Sequence, residues 1–216
     1  MLLADFGTTY SKFIDSAPGS MPYIKETKSL PPDLHVDIAT GHNGKRFSSS
    51  YINELTALAK GGEARIPQPT FTLLDCGSRD IKYIRYENGT LADMGWNAEC
   101  GASMGFTIEL LERYYDIDFT TLTPPQSHYS ITSGVLGMSH IFDEITTGIS
   151  ETVAVAKFVK SIAINAFRFA GEPETVHLSG GLCDNPLFIK SFPCDVVSLG
   201  RFVLLDGIKK IAEEQQ

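Results

Sequence analysis

The sequence is short of positive charge, of patterned cysteine and of long apolar runs, and each shortage removes a class of function. Eighteen Lys and Arg stand against 26 Asp and Glu, leaving a formal net charge of −8. A nucleic-acid groove or an anionic membrane surface needs a basic patch, so neither is an expected partner. An acidic chain can still hold an anion where backbone N–H groups do the work. No stretch approaches the ~18 apolar residues of a membrane span, and no basic segment precedes the N-terminal apolar run. The expected address is the cytoplasm.

Cysteine and histidine are sparse in pattern as well as number. Cys76, Cys100, Cys183 and Cys194 show neither CxxC spacing nor the ladder of a disulfide scaffold, so one chain does not contain a complete metal site of its own. His35, His42, His128, His140 and His177 form no HExxH and no i,i+4 pair, and read as structural or exposed residues rather than ligands.

What is present describes an ordinary globular protein. A chain of 216 residues with 43% hydrophobic and 20% charged residues can build one large domain or two small ones. "MLLADFGTTYSKFIDSA" reads as strand, tight turn and returning strand, with "PYIKETK" and "HVDIATG" as two further strands. "FSSSYINELTALAKGG" reads as a helix capped by serines and stopped by Gly61-Gly62, and the prolines of "RIPQPTF" mark a boundary. "FTLLDCGSRDIKYIRYENGTLADMG" then repeats the strand–turn–strand pattern and continues through an Asn88-Gly89 hairpin. Residues 103–115 are expected as a helix with Phe106, Leu110, Leu111 and Tyr114 on one face. Helices follow over about 135–147 and 150–170, broken near Gly148. "TVHLSGG" is a buried strand, and "RFVLLDGIKKIAEEQ" a terminal helix.

The repeat carries the chemistry. "LLADFGTTYSKFI" and "TLLDCGSRDIKYI" share an apolar strand, Asp-x-Gly, a polar pair and a returning lysine, which points to a duplicated fold. Glycine lets backbone approach a phosphate, successive N–H groups form an anion nest, and threonine hydroxyls donate. Asp5, at the strand end, can hold a hydrated Mg²⁺. Asp75-Cys76-Gly77 offers the mirror half of such a clamp, and Gly180-Gly181 bare backbone for a base or ribose. Taken singly, Asp5 and Asp75 also read as turn caps, the glycines as packing sites, and Lys12 as a strand residue facing solvent, its repetition at Lys82 fitting duplication better than catalysis.

In this order, "DFGTTYSK", "DCGSRD" and "HLSGGLCDN" resemble the superfamily of acetate and sugar kinases, heat-shock ATPases and actin. Within it, "ATGHNGKRF", "DCGSRDIKYIRYENG", "NAECGASMGFTIELLE", "SITSGVLGMSHIFDE" and "LSGGLCDN" are similar to the activators of 2-hydroxyacyl-CoA dehydratases and the related benzoyl-CoA reductase ATPase subunits. The resemblance covers nearly the whole chain, with a short segment between Lys12 and Ala39. It implies an α/β fold of two ribonuclease-H-like, actin-like ATPase subdomains around a nucleotide cleft. The first spans 1–68, with a helix at about 201–216 packing back on it, and the second spans 69–200. It also implies a homodimer or hetero-assembly through the Cys100 helix, and a low-potential dehydratase- or reductase-type metalloenzyme as partner.

By the same resemblance, ATP or ADP with Mg²⁺ contacts Asp5, Gly7, Thr8, Thr9 and Lys12 in a first phosphate loop, with Asp5 serving the metal. Asp75, Gly77, Ser78, Arg79 and Asp80 form the second loop, with Asp75 and Asp80 in catalytic positions. Gly180, Gly181 and Asn185 lie against the adenosine, and Glu54 places the attacking water. Family members share one 4Fe–4S cluster between subunits, two cysteines from each. Cys100 matches the first ligand, while Val135, or Gly134 with one residue of slip, stands where the second belongs, so a symmetric dimer supplies two thiolates of four. Arg79 replaces a glutamine of the family. Cys100 therefore reads as half of a cluster site completed by other ligands, as a thiol activated at a helix start, or as a packing residue. The chain reads as an ATP-hydrolysing activator, as a nucleotide-binding accessory subunit without turnover, or, less well, as a small-molecule kinase.

Overall fold

The computed structural model describes residues 1–98, 105–131 and 134–215, the last range without the side chains of residues 134–136. Its contacts divide the chain into two compact units, 1–71 with 84–94 and 199–216, and 72–83 with 95–198. Each is built on the pattern of its strands. In the first unit, β1 (Leu2–Phe6), β2 (Tyr10–Asp15), β3 (Tyr23–Glu26), β4 (Val36–Thr40) and β5 (Ser48–Tyr51) form a sheet of order β3-β2-β1-β4-β5. The central strand β1 is apolar almost throughout because both of its faces are covered, whereas the edge strand β3 is exposed at every residue. Pairing is antiparallel between β1 and β2, with Asp5 opposite Lys12, and parallel between β1 and β4, with Asp5 beside Thr40.

Phe6 forms the centre of this unit's core. It stacks on Phe47 at 4.8 Å and meets Phe13 edge-on at 5.7 Å, among Ala4, Val36 and Ala39. Burying each of these rings stabilises the unit by about 1.5–3 kcal/mol. The short helix α1 (Gly44–Phe47) supplies Phe47. Two longer helices, α2 (Glu54–Arg65) and α7 (Val203–Glu214), pack against each other, and α7 also lies on β1 and β4.

The second sheet has the order β10-β9-β6-β7-β8, from β6 (Phe71–Cys76), β7 (Ile81–Glu87), β8 (Thr90–Asn97), β9 (Thr175–Ser179) and β10 (Asp195–Gly200). Its central strand β6 is buried at all six positions and runs parallel to β9, with Asp75 beside Ser179. Asn88 and Gly89 take positive φ of 51° and 77°, the geometry of the expected two-residue hairpin turn. The helices α3 (Gly105–Tyr115), α4 (Gly134–Thr146), α5 (Glu151–Phe169) and α6 (Pro186–Lys190) complete the second unit. In α5, Ser150 caps the start, Gly171 at φ 84° follows the end, and Val155, Phe158, Val159, Ile162 and Ala166 face the core.

Four local expectations change. Ser48–Tyr51 is strand β5 rather than the start of a helix, because "SSSY" pairs in parallel with β4; the helix begins at Glu54, capped by Asn53. Gly61 and Gly62 do not stop it, since α2 continues to Arg65 and Gly61 is where α7 comes close, with Val203 against it. On α3 the buried side chains are Ile108 and Leu111, while Phe106 and Leu110 are each 49% exposed and Tyr114 78%. Two apolar stripes share that helix, and the i,i+4 stripe faces outward. Lastly, Lys12 is buried, not solvent-facing, as is its counterpart Lys82. Among the described residues no helix is long and apolar enough to cross a membrane.

Candidate functional site

The first Asp-Gly loop joins β1 to β2. Asp5 ends the buried run of β1 and is 2% exposed; Lys12, opposite it on β2, is 9% exposed and donates to Asp5 Oδ2 at 2.7 Å. Two buried charges at this distance stabilise each other only as a pair. Gly7 sits where any Cβ would lie 2.5 Å from the Tyr10 carbonyl, so the loop is as tight as its glycine. Thr27 fastens it from the end of β3: its hydroxyl donates to the Gly7 carbonyl at 2.8 Å, and its N–H to the Thr9 carbonyl at 2.9 Å. Thr8 is exposed and Thr9 half-buried at the tip.

Two residues of this half were missed as site residues although "ATGHNGKRF" contains them. Thr40 ends β4 beside Asp5, and Gly41 turns away at φ 89° with Phe6 backbone 2.5–2.7 Å from where its Cβ would be. The Thr40 hydroxyl is fully buried and has no hydrogen-bond partner among the described residues. An orphan of this kind costs about 1–3 kcal/mol, and it marks a place where a ligand or water would complete the site. The signal available in the sequence was the likeness of "DIATG" to "VHLSGG", each a strand closed by a small hydroxyl residue and glycine.

The second loop repeats the plan with different partners. Asp75 ends β6 and is 4% exposed; Ser179, its parallel neighbour, donates to Asp75 Oδ1 at 2.5 Å. The turn closes by Gly77 N–H to the Asp80 carbonyl at 3.0 Å, with Ser78 half-buried and Arg79 exposed at its tip. Lys82, 2% exposed, donates to Asp80 Oδ1 at 2.7 Å, and the Trp96 indole N–H donates to Asp80 Oδ2 at 2.7 Å. Gly180 mirrors Gly41: φ is 89°, and a Cβ there would lie 2.5 Å from the Cys76 carbonyl. Gly181 faces open space. The Asn185 side chain accepts from Phe188 N–H at 2.9 Å as the N-cap of α6, a structural role beside the expected nucleoside contact. Glu54 is 5% exposed in the first turn of α2, where the helix dipole favours an acid.

These donors suit a nucleotide with its metal. Mg²⁺ keeps most of its water and takes one or two protein oxygens, and Asp5 with the Thr40 hydroxyl beside it is such a set. Among the described residues an iron–sulfur cluster finds no set of ligands. The expectation for Cys100 falls within 99–104 and that for Val135 on a side chain, and both lie outside the described residues. Among the described residues no group of three or more His, Cys, Asp or Glu is placed to hold a metal. Cys76 and Cys183 are buried in the core, and burial, reinforced by neighbouring Asp75, pushes the Cys76 thiol well up, so it packs as a neutral side chain. Burial, helped by Asp195, raises Cys194 as well.

No family model matches the chain. The (R)-2-hydroxyglutaryl-CoA dehydratase activating ATPase of Acidaminococcus fermentans is 23% identical over 165 residues, covering 71% of this chain and 63% of that protein. The chain thus spans less than two-thirds of this curated relative. Among solved structures, the activator of the 2-hydroxyisocaproyl-CoA dehydratase from Clostridium difficile, with bound ADPNP, superposes with a TM-score of 0.78 at 18% identity, covering 100% of this chain and 94% of that one. Component A of the (R)-2-hydroxyglutaryl-CoA dehydratase of A. fermentans gives a TM-score of 0.74 at 18% identity, covering 97% and 95%. The chain is similar in sequence to this activating ATPase and shares the fold of the two solved dehydratase activators, as the order of its motifs implied.

Proposed function

We propose that this protein binds and hydrolyses ATP and uses its nucleotide state to activate a low-potential metalloenzyme of the dehydratase or reductase type. The observation that carries the reading is the doubled strand end: Asp5 with Thr40 and Gly41, and Asp75 with Ser179 and Gly180, in one register. Each such end suits phosphate oxygens, in a fold shared with an activator solved with ADPNP. Backbone N–H groups and hydroxyls of Gly7, Thr8 and Thr9 take terminal phosphate oxygens. Lys12 supplies positive charge, and its pairing holds the Asp5 carboxylate aligned. Mg²⁺, when bound beside Asp5, neutralises phosphate charge. Gly77 to Asp80 take the remaining phosphates, and the open face of Gly181 admits the nucleoside. Glu54, with Asp75, is assigned to orienting the attacking water.

Assembly belongs to the same reading. Phe106, Leu110 and Tyr114 form an outward apolar stripe on α3, just past Cys100 in the chain, and we assign it to contact with a second copy. The residues present do not complete a four-thiolate site, so no electron-transfer step through a cluster is assigned. The decisive measurement is Mg·ATP binding by calorimetry, followed by phosphate release. Asp5→Ala is expected to weaken binding, and Asp75→Asn to slow hydrolysis by about 100-fold or more with smaller effect on affinity. Unchanged affinity in Asp5→Ala refutes the nucleotide assignment.

A further inference from the structure

The chain has one tryptophan, and it is spent on an exposed edge strand. Trp96 is 42% exposed on β8, where its indole N–H reaches Asp80 Oδ2 at 2.7 Å and its ring lies 5.0 Å from the Lys82 ammonium. Lys82 takes the other oxygen, Oδ1, also at 2.7 Å. Both oxygens of Asp80 are therefore held, one by a buried cation and one by an indole on a different strand. The first loop has no equivalent clamp. Five residues beyond Asp5 stands Tyr10, with the Arg201 guanidinium 5.8 Å from its ring, where five beyond Asp75 stands Asp80.

A second contact grips the same turn. The Phe106 N–H, at the start of α3, donates to the Ser78 carbonyl at 3.2 Å, and a Cβ on Gly105 would lie 2.9 Å from Ser78 Cα.

We infer that Trp96 is a positioning residue of the second phosphate loop, whose bond to Asp80 holds that carboxylate in place and passes its displacement by bound nucleotide to β8. The inference rests on the nucleotide reading of this loop. Its chemistry is simple: a hydrated metal beside the phosphates that draws on Asp80 would pull the indole with it through the bond that aligns that carboxylate. Phenylalanine at position 96 keeps the ring over Lys82 but removes the donor.

The unaltered protein contains its own reporter. Mg·ATP is titrated while calorimetry gives affinity and Trp96 emission is followed in parallel. The expected result is an emission change that saturates with the calorimetric affinity. In Trp96→Phe, Mg·ATP is expected to bind about tenfold more weakly, the effect of one hydrogen bond to a charged group, while the unaltered thermal midpoint shows the fold intact. Emission that does not move at calorimetric saturation overturns the inference and leaves nucleotide binding standing. Wild-type affinity in Trp96→Phe overturns it equally. No calorimetric binding in the unaltered protein removes the nucleotide reading and this inference together. The emission arm needs no variant and decides the matter even where Trp96→Phe does not fold.

Discussion

At the scale of single residues, the two lysines show how far a repeat can be read and where it stops. Their spacing from Asp5 and Asp75 was legible in the sequence, but their burial and their partners were not. Lys12 donates to Asp5 across the strand pair, Ser179 to Asp75, and Lys82 to Asp80. The Ser179 donor reaches Asp75 from a strand a hundred residues away, and no local pattern records that. Lys12→Met strands a buried carboxylate and is expected to cost about 3–5 kcal/mol in urea denaturation. Adding Asp5→Leu should restore most of the loss, since an apolar pair replaces an ionic one. A single variant as stable as the parent would show the pair to be idle.

Between elements, the packing of α2 on α7 rests on glycine. Gly207 faces the Ala57 carbonyl so closely that a Cβ has no room, and Gly61 meets Val203 the same way. Sequence reading took Gly61-Gly62 as a stop signal because glycine is a poor helix former; the tertiary contact outweighs that preference. Gly207→Ala is expected to destabilise by about 1–3 kcal/mol despite its better helix propensity, visible as a lower thermal midpoint. The same two helices carry a titrating group. Burial alone would raise Glu63, but hydrogen bonds from Tyr86, Lys60 and Lys210 outweigh it and bring its pKa from 4.5 to about 2. The unfolded chain therefore binds that proton more readily. The stability carried by Glu63 is complete above about pH 4.5 and is lost as pH falls toward 2. Denaturation midpoints between pH 2 and 6 should fall less steeply in Glu63→Gln than in the parent, and parallel curves would sink the assignment. Strand β5 and helix α6 were not legible: "SSSY" has no apolar alternation, and five residues after a proline carry too little periodicity.

For the whole molecule, what was legible was the order of motifs, because strand, Asp-x-Gly turn and glycine-closed strand recur twice. What was not legible was orientation. Phe106, Leu110 and Tyr114 share a stripe with a spacing that fits a core as well as a surface, and only the packing of Ile108 and Leu111 decides which way α3 faces. If that stripe joins two copies, light scattering should give a dimer for the parent and a monomer for Leu110→Glu, with Mg·ATP affinity retained. A monomeric parent removes the proposed contact. The mirrored pair Gly41 and Gly180 has a genetic corollary. Both combine left-handed backbone with the backbone of a neighbouring strand in the space of a side chain. Every single-base missense change of a glycine codon adds a Cβ, so neither codon has a conservative neighbour. In a saturation scan these two positions, far apart in the chain, should be depleted of every substitution alike, tracing the ancient duplication as a pair of matching gaps.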